Sequence, residues 1–151
     1  VKSIGDYAFS KCIQLVTVNL PQTNIFFGEY AFSECPKLQL IEIPSLCTCI
    51  SKGLFYQCSK IPSFTIPNSV TVIKDYAFGF CTMTSINIPD QITSIGSYTF
   101  YKCANLASIK LPSNLESIQN NVFDSCTSLE SINIPENVIQ LEIKHFFHVN
   151  H

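Results

Sequence analysis

The sequence predicts a curved solenoid of parallel β-strands, built from about six and a half repeats of 23 residues. Phenylalanine, cysteine and proline recur together along the chain, at intervals of 23 residues with one shorter step of 22. The recurring phenylalanines are Phe9, Phe32, Phe55, Phe78, Phe100, Phe123 and Phe146. Three residue types that stay in register over the whole chain indicate a structural repeat.

The length of the repeat selects the architecture. Tetratricopeptide and ankyrin units need roughly 33–34 residues, whereas leucine-rich repeats take about 20–29. A unit of 23 residues has room for one strand, a turn and a short helical segment. Because one unit cannot bury its own apolar residues, neighbouring units must stack and pair their strands in parallel. The predicted fold class is therefore a leucine-rich-repeat solenoid with a parallel β-sheet on its concave face, short turns or helical segments, and short second strands.

Each repeat carries these elements in the same order. Two apolar residues alternate with polar ones before a proline, as Val18 and Leu20 do before Pro21, which is typical of a strand with one buried face. The proline ends the strand because it donates no ladder hydrogen bond. A second apolar pair, such as Ile92 and Ile95, predicts the second strand.

A glycine-containing stretch completes the repeat. The sequence Ile-Gly-Asp-Tyr-Ala-Phe over residues 4–9 predicts a turn followed by one short helical turn that carries Ala8 and Phe9 inward. Two repeats depart from the pattern. In the second repeat Asn24 occupies the first apolar column of the second strand, and in the third repeat Cys47 stands where others have Val or Leu and Ser51 replaces the turn glycine.

The composition excludes several classes of partner. The net charge is −2 and only 13% of the residues are charged, which argues against nucleic acid and anionic lipid. No apolar run approaches the ~20 residues of a membrane span, so we expect no direct membrane insertion by this segment. The chain begins at Val1 without a signal-peptide pattern. We therefore expect residues 1–151 to be a single array from a longer chain.

The sequence offers no catalytic or metal-binding constellation, and we expect neither an enzyme nor a cofactor. No histidine recurs inside the array to activate a nucleophile. His145, His148 and His151 fall in the decaying last repeat, an interpretation preferred to a metal site. Six cysteines share one column and are expected to be reduced core thiols, because stacked parallel side chains do not converge as a disulfide requires. Cys49 lies outside that column and is expected to be the most exposed thiol.

The repeated motif is recognisable at this point. The stretch over residues 4–9, followed by Cys12, Leu15, Val18 and Leu20, resembles the BspA-like (Treponema-type) leucine-rich repeats over essentially the whole chain. The resemblance implies a non-enzymatic module of a microbial surface antigen, located at the cell surface or secreted. It also implies adhesion to host cells, to matrix proteins such as fibronectin, or to other microbes. The alternative is a cytoplasmic scaffold that uses the same array to hold a partner protein.

The polar positions of the first strand predict where a protein ligand binds, since they face outward from the concave sheet. The predicted site consists of Asn19, Glu42, Thr65, Asn87, Lys110 and Asn133, with Ser63, Ser85, Ser108 and Ser131 beside them. Thr17 and Leu40 complete this second column. The alternative is a merely solvated sheet face, because the strip contains none of the Trp, Tyr or Arg residues that usually dominate binding.

A column of tyrosines forms a second candidate surface. Its members are Tyr7, Tyr30, Tyr76 and Tyr98, with Tyr56 and Tyr101 just after a phenylalanine. Tyrosine buries its ring while leaving its hydroxyl in water. We expect the column to cover the buried phenylalanines, and a lateral binding ridge is the alternative.

Overall fold

The computed structural model describes residues 1–62 and 64–141 of the chain. It confirms the predicted fold, because the chain winds into a parallel β-solenoid of about five turns. The six repeats that the structure describes are called coils here and are numbered by the phenylalanine that each contains. Coils 1 to 6 contain Phe9, Phe32, Phe55, Phe78, Phe100 and Phe123, respectively.

The strands are short and numerous. Those in the described residues are β1 (Ser3–Ile4), β2 (Thr17–Val18), β3 (Phe26–Phe27), β4 (Leu40–Ile41), β5 (Cys49–Ile50), β6 (Val72–Ile73), β7 (Ser85–Asn87), β8 (Ser94–Ile95), β9 (Ser108–Lys110), β10 (Ser117–Ile118) and β11 (Gln140–Leu141). The first sheet carries the predicted polar strip and pairs β2 with β4 and β7 with β9. The second sheet is the longer one, with the order β11-β10-β8-β6-β5, and β1 pairs with β3 apart from it.

A third set of hydrogen bonds joins the coils without forming strands. In coil 1 the amides of Tyr7, Phe9 and Lys11 donate to carbonyl oxygens of coil 2 at 2.8–2.9 Å. The same three bonds recur at every junction up to that between coils 5 and 6, at 2.7–3.1 Å. These bonds, called the turn ladder here, all run from an amide of one coil to a carbonyl of the next.

The turn ladder replaces the helical turn that the sequence predicts. The amides between the ladder positions bond locally, as Ala8 does to the Gly5 carbonyl at 3.3 Å. Tyr7 and Lys11 have φ angles of 55° and 60°, and both equivalent positions of every later coil are also left-handed. A right-handed helix cannot contain such residues, and residues 1–62 and 64–141 contain no helix. The prediction that the alanine and phenylalanine point inward is confirmed in coil 2, where Ala31 and Phe32 are fully buried. In coil 1 it does not hold to the same degree, since Ala8 is exposed and Phe9 keeps 39% of its surface accessible.

The core is a stack of phenylalanine rings that follows the solenoid axis. Consecutive rings from Phe9 to Phe123 lie nearly parallel, with centroids 5.2–6.2 Å apart. Phe64 packs obliquely against both Phe55 and Phe78, at 4.8 and 5.2 Å. Offset stacking at these distances stabilises the core beyond simple burial of apolar area.

The junction between coils 2 and 3, called the seam here, lacks the regular strand pairing. In the second sheet β3 does not pair with β5. In the first sheet none of the described residues of coil 3 pairs with β4, whereas Thr65 pairs with Asn87 of coil 4. Part of the cause is Pro62. It occupies the position at which Gln39 and Ala107 donate their amides to the preceding coil, at 2.9 and 3.0 Å, and proline has no amide hydrogen to donate.

The expected column assignment in coil 2 is wrong by one residue. Asn24 is exposed, and the next residue, Ile25, is buried in its place with 2% of its surface accessible. Burying the Asn24 amide without partners would be costly, so the chain shifts to place Ile25 in the core. The preceding turn differs accordingly. Thr23 bonds to the Pro21 carbonyl, whereas in coil 4 the amide of the third residue, Val70, bonds to Pro67.

Side chains supply the bonds that the seam backbone lacks. The Cys47 thiol donates to the Ile25 carbonyl at 3.2 Å, and the Ser51 hydroxyl donates to the Phe27 carbonyl at 2.5 Å. At regular junctions the backbone amide provides the equivalent of the Ser51 bond, as Gly96 does to Ile73 at 2.8 Å. Cys47 and Ser51, the two departures of the third repeat, therefore have a structural role. Each places a hydrogen-bond donor where the strand pairing of the second sheet is interrupted.

Candidate functional site

The predicted polar strip forms an exposed column of side chains on the first sheet. All nine members that the structure describes are exposed, and Ser63 lies outside the described residues. Strand pairing places Ser85 opposite Ser108 and Asn87 opposite Lys110, and the bridge to Thr65 extends the column into coil 3. In coil 6 no described pairing joins the predicted residues to coil 5. The structure thus brings the strip together best in coils 3 to 5.

The strip is chemically uneven at coil 2. Leu40 stands opposite Thr17 with 54% of its surface exposed, whereas the other described residues of its column carry hydroxyl groups. Glu42 is exposed two residues further along the same strand direction. Leu40 was not among the predicted site residues, although its apolar character in a column of Ser and Thr was the available signal.

Two depressions open beside Leu40. The larger has a volume of about 580 Å³ and is lined by Leu40, Glu42, Ser45, Thr65 and Pro67, among others. The smaller, of about 160 Å³, lies on the coil 1 side and shares Gln22, Leu40 and Glu42 with the larger. The described strip is therefore concave on both sides of Leu40 in coil 2, next to the seam.

The tyrosine column forms a continuous ridge of rings. Tyr7 stacks on Tyr30 and Tyr76 stacks on Tyr98, with centroids 5.4 and 4.8 Å apart, while Tyr56 lies edge-on between Tyr30 and Tyr76. Burial and the neighbouring tyrosines raise the pKa of Tyr30 and of Tyr76. The stacked rings cover one another's faces, and the covering of the buried phenylalanines stays a prediction.

A glycine makes room for this ridge in coil 3. Gly53 replaces the column tyrosine and has a φ of 60°. A Cβ atom at this position would lie 2.2 Å from the Tyr30 ring. The Tyr30 ring therefore occupies the space that a side chain would need, and the ridge continues through Tyr56 instead.

The cysteine column has a hydrogen-bonding role that the sequence reasoning missed. From Cys35 to Cys126, each thiol of the column donates to the carbonyl oxygen of the phenylalanine in the preceding coil, at 3.1–3.2 Å. Burial raises the pKa of Cys58 and of Cys126 to about 12. These neutral, buried thiols fit the prediction of core residues. The constant spacing from phenylalanine to cysteine was the signal for a specific bond.

Cys49 is partly exposed, in line with the expectation. It and Cys12 are the two cysteines that are only half-buried. Burial raises the pKa of Cys49, and the nearby Lys74 ammonium opposes this effect. Cys49 lines a small opening of about 190 Å³ together with Lys2 and the exposed ring of Phe26.

Two other kinds of site, a metal centre and a membrane span, are not found in the described part of the chain. Within it, no group of three or more His, Cys, Asp or Glu side chains is placed to hold a metal ion. His145, His148 and His151 lie outside the described residues. No helix in residues 1–62 and 64–141 is long and apolar enough to cross a membrane.

Comparison with known proteins connects this geometry to a family. A sequence profile of the BspA type leucine rich repeat region matches residues 1–103 and 48–151. The crystal structure of a leucine-rich repeat protein from Bacteroides ovatus is similar, with a TM-score of 0.86 and 30% identity over 95% of this chain. The leucine-rich repeat protein of T. pallidum is also similar, with a TM-score of 0.86 and 32% identity over 93% of the chain.

A third neighbour is described as a cell surface protein. It is a leucine-rich protein from Faecalibacterium prausnitzii, with a TM-score of 0.71 and 27% identity over 93% of the chain. The chain spans 41%, 66% and 47% of the lengths of these three proteins, in the order given. No curated protein matches the sequence significantly.

Proposed function

The chain belongs to the BspA type leucine-rich repeat family, and from this premise we propose that it is an adhesion module of a cell-surface protein. The family and fold are typically non-enzymatic, and the array is a protein-binding repeat module. The proposed partner is a host matrix protein such as fibronectin or a protein on another cell. The description of the F. prausnitzii neighbour as a cell surface protein supports this location.

The observation that carries the proposal is the exposed, coil-to-coil column of hydroxyl and amide side chains. Asn87 and Lys110 lie on adjacent paired strands with both side chains exposed. No ring or guanidinium group on the strip provides a dominant contact, so binding rests on many similar contacts. A partner that engages several coils gains affinity through avidity. Residues 1–151 are proposed to act as one binding array.

The test is solid-phase binding of the purified chain to fibronectin and other matrix proteins. The test variant carries Asn87→Ala, Lys110→Ala and Asn133→Ala. A matched control carries Lys60→Ala, Asn105→Ala and Asn114→Ala, which removes the same side-chain types from exposed positions outside the strip. We expect saturable binding that falls by about tenfold or more in the test variant, equivalent to ~1.4 kcal/mol, and is unchanged in the control.

Two results would contradict the proposal in different ways. Equal loss of binding in both variants would remove the strip from the interaction. Absence of binding to every matrix protein would remove adhesion to the matrix and would favour the scaffold alternative. Circular dichroism of each variant would establish that the fold is retained.

A further inference from the structure

Coil 2 replaces two consensus residues of the polar strip by residues of different chemistry. In the column of Leu40 the other described coils carry Thr17, Ser85, Ser108 and Ser131. In the column of Glu42 they carry Asn19, Thr65, Asn87, Lys110 and Asn133. Because residues two apart on an extended chain point to the same side, Leu40 and Glu42 present an apolar group and a carboxylate side by side.

The space beside these two residues is large enough for a side chain of a partner. The depression of about 580 Å³ contacts both Leu40 and Glu42 and extends across the seam to Thr65 and Pro67. With 54% of its surface exposed, Leu40 offers apolar area that a bound aliphatic group would remove from water. Such burial is favourable in proportion to the area removed.

The Glu42 carboxylate forms no ion pair with any described residue. The polar groups that line the depression with it are Gln22, Ser45 and Thr65, all of which are neutral. Gln22 is already engaged, since its side-chain oxygen accepts the Ser45 amide at 3.3 Å. Lys110, the cation of the described strip, lies three coils away, or about 14 Å at the usual strand spacing. The exposed carboxylate is therefore available to a cation on a ligand.

We propose that Leu40 and Glu42 form a specificity pocket for an extended peptide segment that carries an aliphatic side chain two residues from a lysine or arginine. This proposal rests on the proposed protein-binding function and names the part of the partner that coil 2 recognises. An extended ligand repeats its side chains with the same spacing as the strand beneath it. Its aliphatic group can therefore contact Leu40 while its cation approaches Glu42.

The test uses two short threonine-rich peptides with a fluorescent label, one with a central Leu-Thr-Arg and the other with Leu-Thr-Glu. Fluorescence anisotropy would measure their affinities for the chain at low ionic strength. We expect the arginine peptide to bind at least about tenfold more tightly, because attraction replaces repulsion at Glu42. Added salt should reduce this preference because exposed charges are screened.

Variants borrowed from the other coils make the test specific. Glu42→Asn introduces the residue found at position 87 and should reduce the preference for arginine to less than about twofold. Leu40→Ser introduces the residue found at position 85 and should weaken both peptides by about tenfold. The control carries Lys60→Ala and Asn105→Ala, at exposed positions outside the strip, and should leave both affinities unchanged.

The outcomes separate this inference from the proposed function. Equal binding of the two peptides, absence of binding by both, or an arginine preference that survives Glu42→Asn would overturn the pocket. Matrix binding that is lost in the Asn87, Lys110 and Asn133 variant but retained after Leu40→Ser and Glu42→Asn would leave adhesion intact without the pocket. Absence of binding to every matrix protein, together with selective peptide binding, would contradict the adhesion proposal alone.

Discussion

The seam and the junction between coils 4 and 5 achieve the same stacking by different means. Between coils 4 and 5 both sheets are continuous, because β6 pairs with β8 and β7 pairs with β9. At the seam the second sheet is interrupted, and Ser51 and Cys47 donate side-chain bonds to coil 2 instead. Both junctions contain the same turn-ladder bonds and the same thiol bond, none of them longer than 3.1 Å. A coil can therefore lose its strand pairing and remain stacked if other donors are present.

The largest expected effect concerns the residue that fills the core at the seam. Ile25→Ala and Ile92→Ala remove equivalent buried side chains, with 2% and 0% exposure, and each should cost ~2–5 kcal/mol of unfolding free energy. Only Ile25→Ala weakens a junction without strand pairing, so we expect it to split urea unfolding into two transitions. Coincident single transitions for both variants, followed by circular dichroism and tyrosine fluorescence, would show that the seam is not a weak point.

A smaller effect is expected from the seam hydroxyl. Ser51→Ala removes the donor of the 2.5 Å bond to Phe27 and leaves a buried carbonyl unsatisfied, which should cost ~1–3 kcal/mol. Lys74→Ala is the matched change in coil 4, where the backbone amide keeps its bond to Ile50. That change should stay within ~0.5 kcal/mol. Equal stability of the two variants in chemical denaturation would show that the Ser51 hydroxyl does not stabilise the seam.

The thiol column should make the seam and the junction between coils 5 and 6 sensitive to alkali in the same way. The folded pKa of Cys58 at the seam and of Cys126 between coils 5 and 6 is about 12, above the ~8.5 of a free thiol. The stabilisation is fully present below pH ~8.5 and is lost as the pH rises towards 12, by about 1.4 kcal/mol per pH unit for each thiol. Cys58→Ala and Cys126→Ala should each flatten this decline equally in denaturation series at rising pH. A decline unaffected by either substitution would assign it to other groups.

The smallest effect is expected from repairing the seam. Asn24→Val with Ile25→Thr restores the column pattern of coil 4, where Val70 and Thr71 stand. Strand pairing between coils 2 and 3 should then form, with a stability change below ~1 kcal/mol because one set of bonds replaces another. Hydrogen exchange would report the change as slower exchange of the Thr48 amide, which should come to match Thr71. Unchanged exchange would mean that the shift from Asn24 to Ile25 is not the cause of the interruption in the second sheet.

The sequence was sufficient for the period, the fold class and the inward direction of the phenylalanines, because burial imposes these features on every coil. It was insufficient for the turn segment, since the left-handed Tyr7 and Lys11 follow from bonds between coils and not from local preference. The shift from Asn24 to Ile25 could be predicted only by comparing the cost of burying the Asn24 amide with the gain from burying the neighbouring Ile25 side chain. Pro62 was the sequence signal, not used in the prediction, for the missing pairing between β4 and the described residues of coil 3.

The predicted site could be derived from the sequence only in part. Alternation along the strand identified the exposed column correctly, since outward positions need no tertiary information. The depression beside Leu40 could not be predicted, because its shape depends on how coils 2 and 3 are joined. The same applies to the thiols, whose acceptor at Phe9 or Phe32 lies 26 residues away.

The orientation of the turn ladder has a mechanical consequence. Its bonds join successive coils, which are stacked about 4.8 Å apart, so a pull along the stacking direction loads one junction at a time. A detached coil of 23 residues can extend to about 80 Å, many times the length that it occupied when stacked. A tether built in this way lengthens stepwise under force and limits the tension on whatever it holds. Among the junctions between coils 1 and 6, the seam has the fewest backbone bonds that involve described residues, and it would yield first.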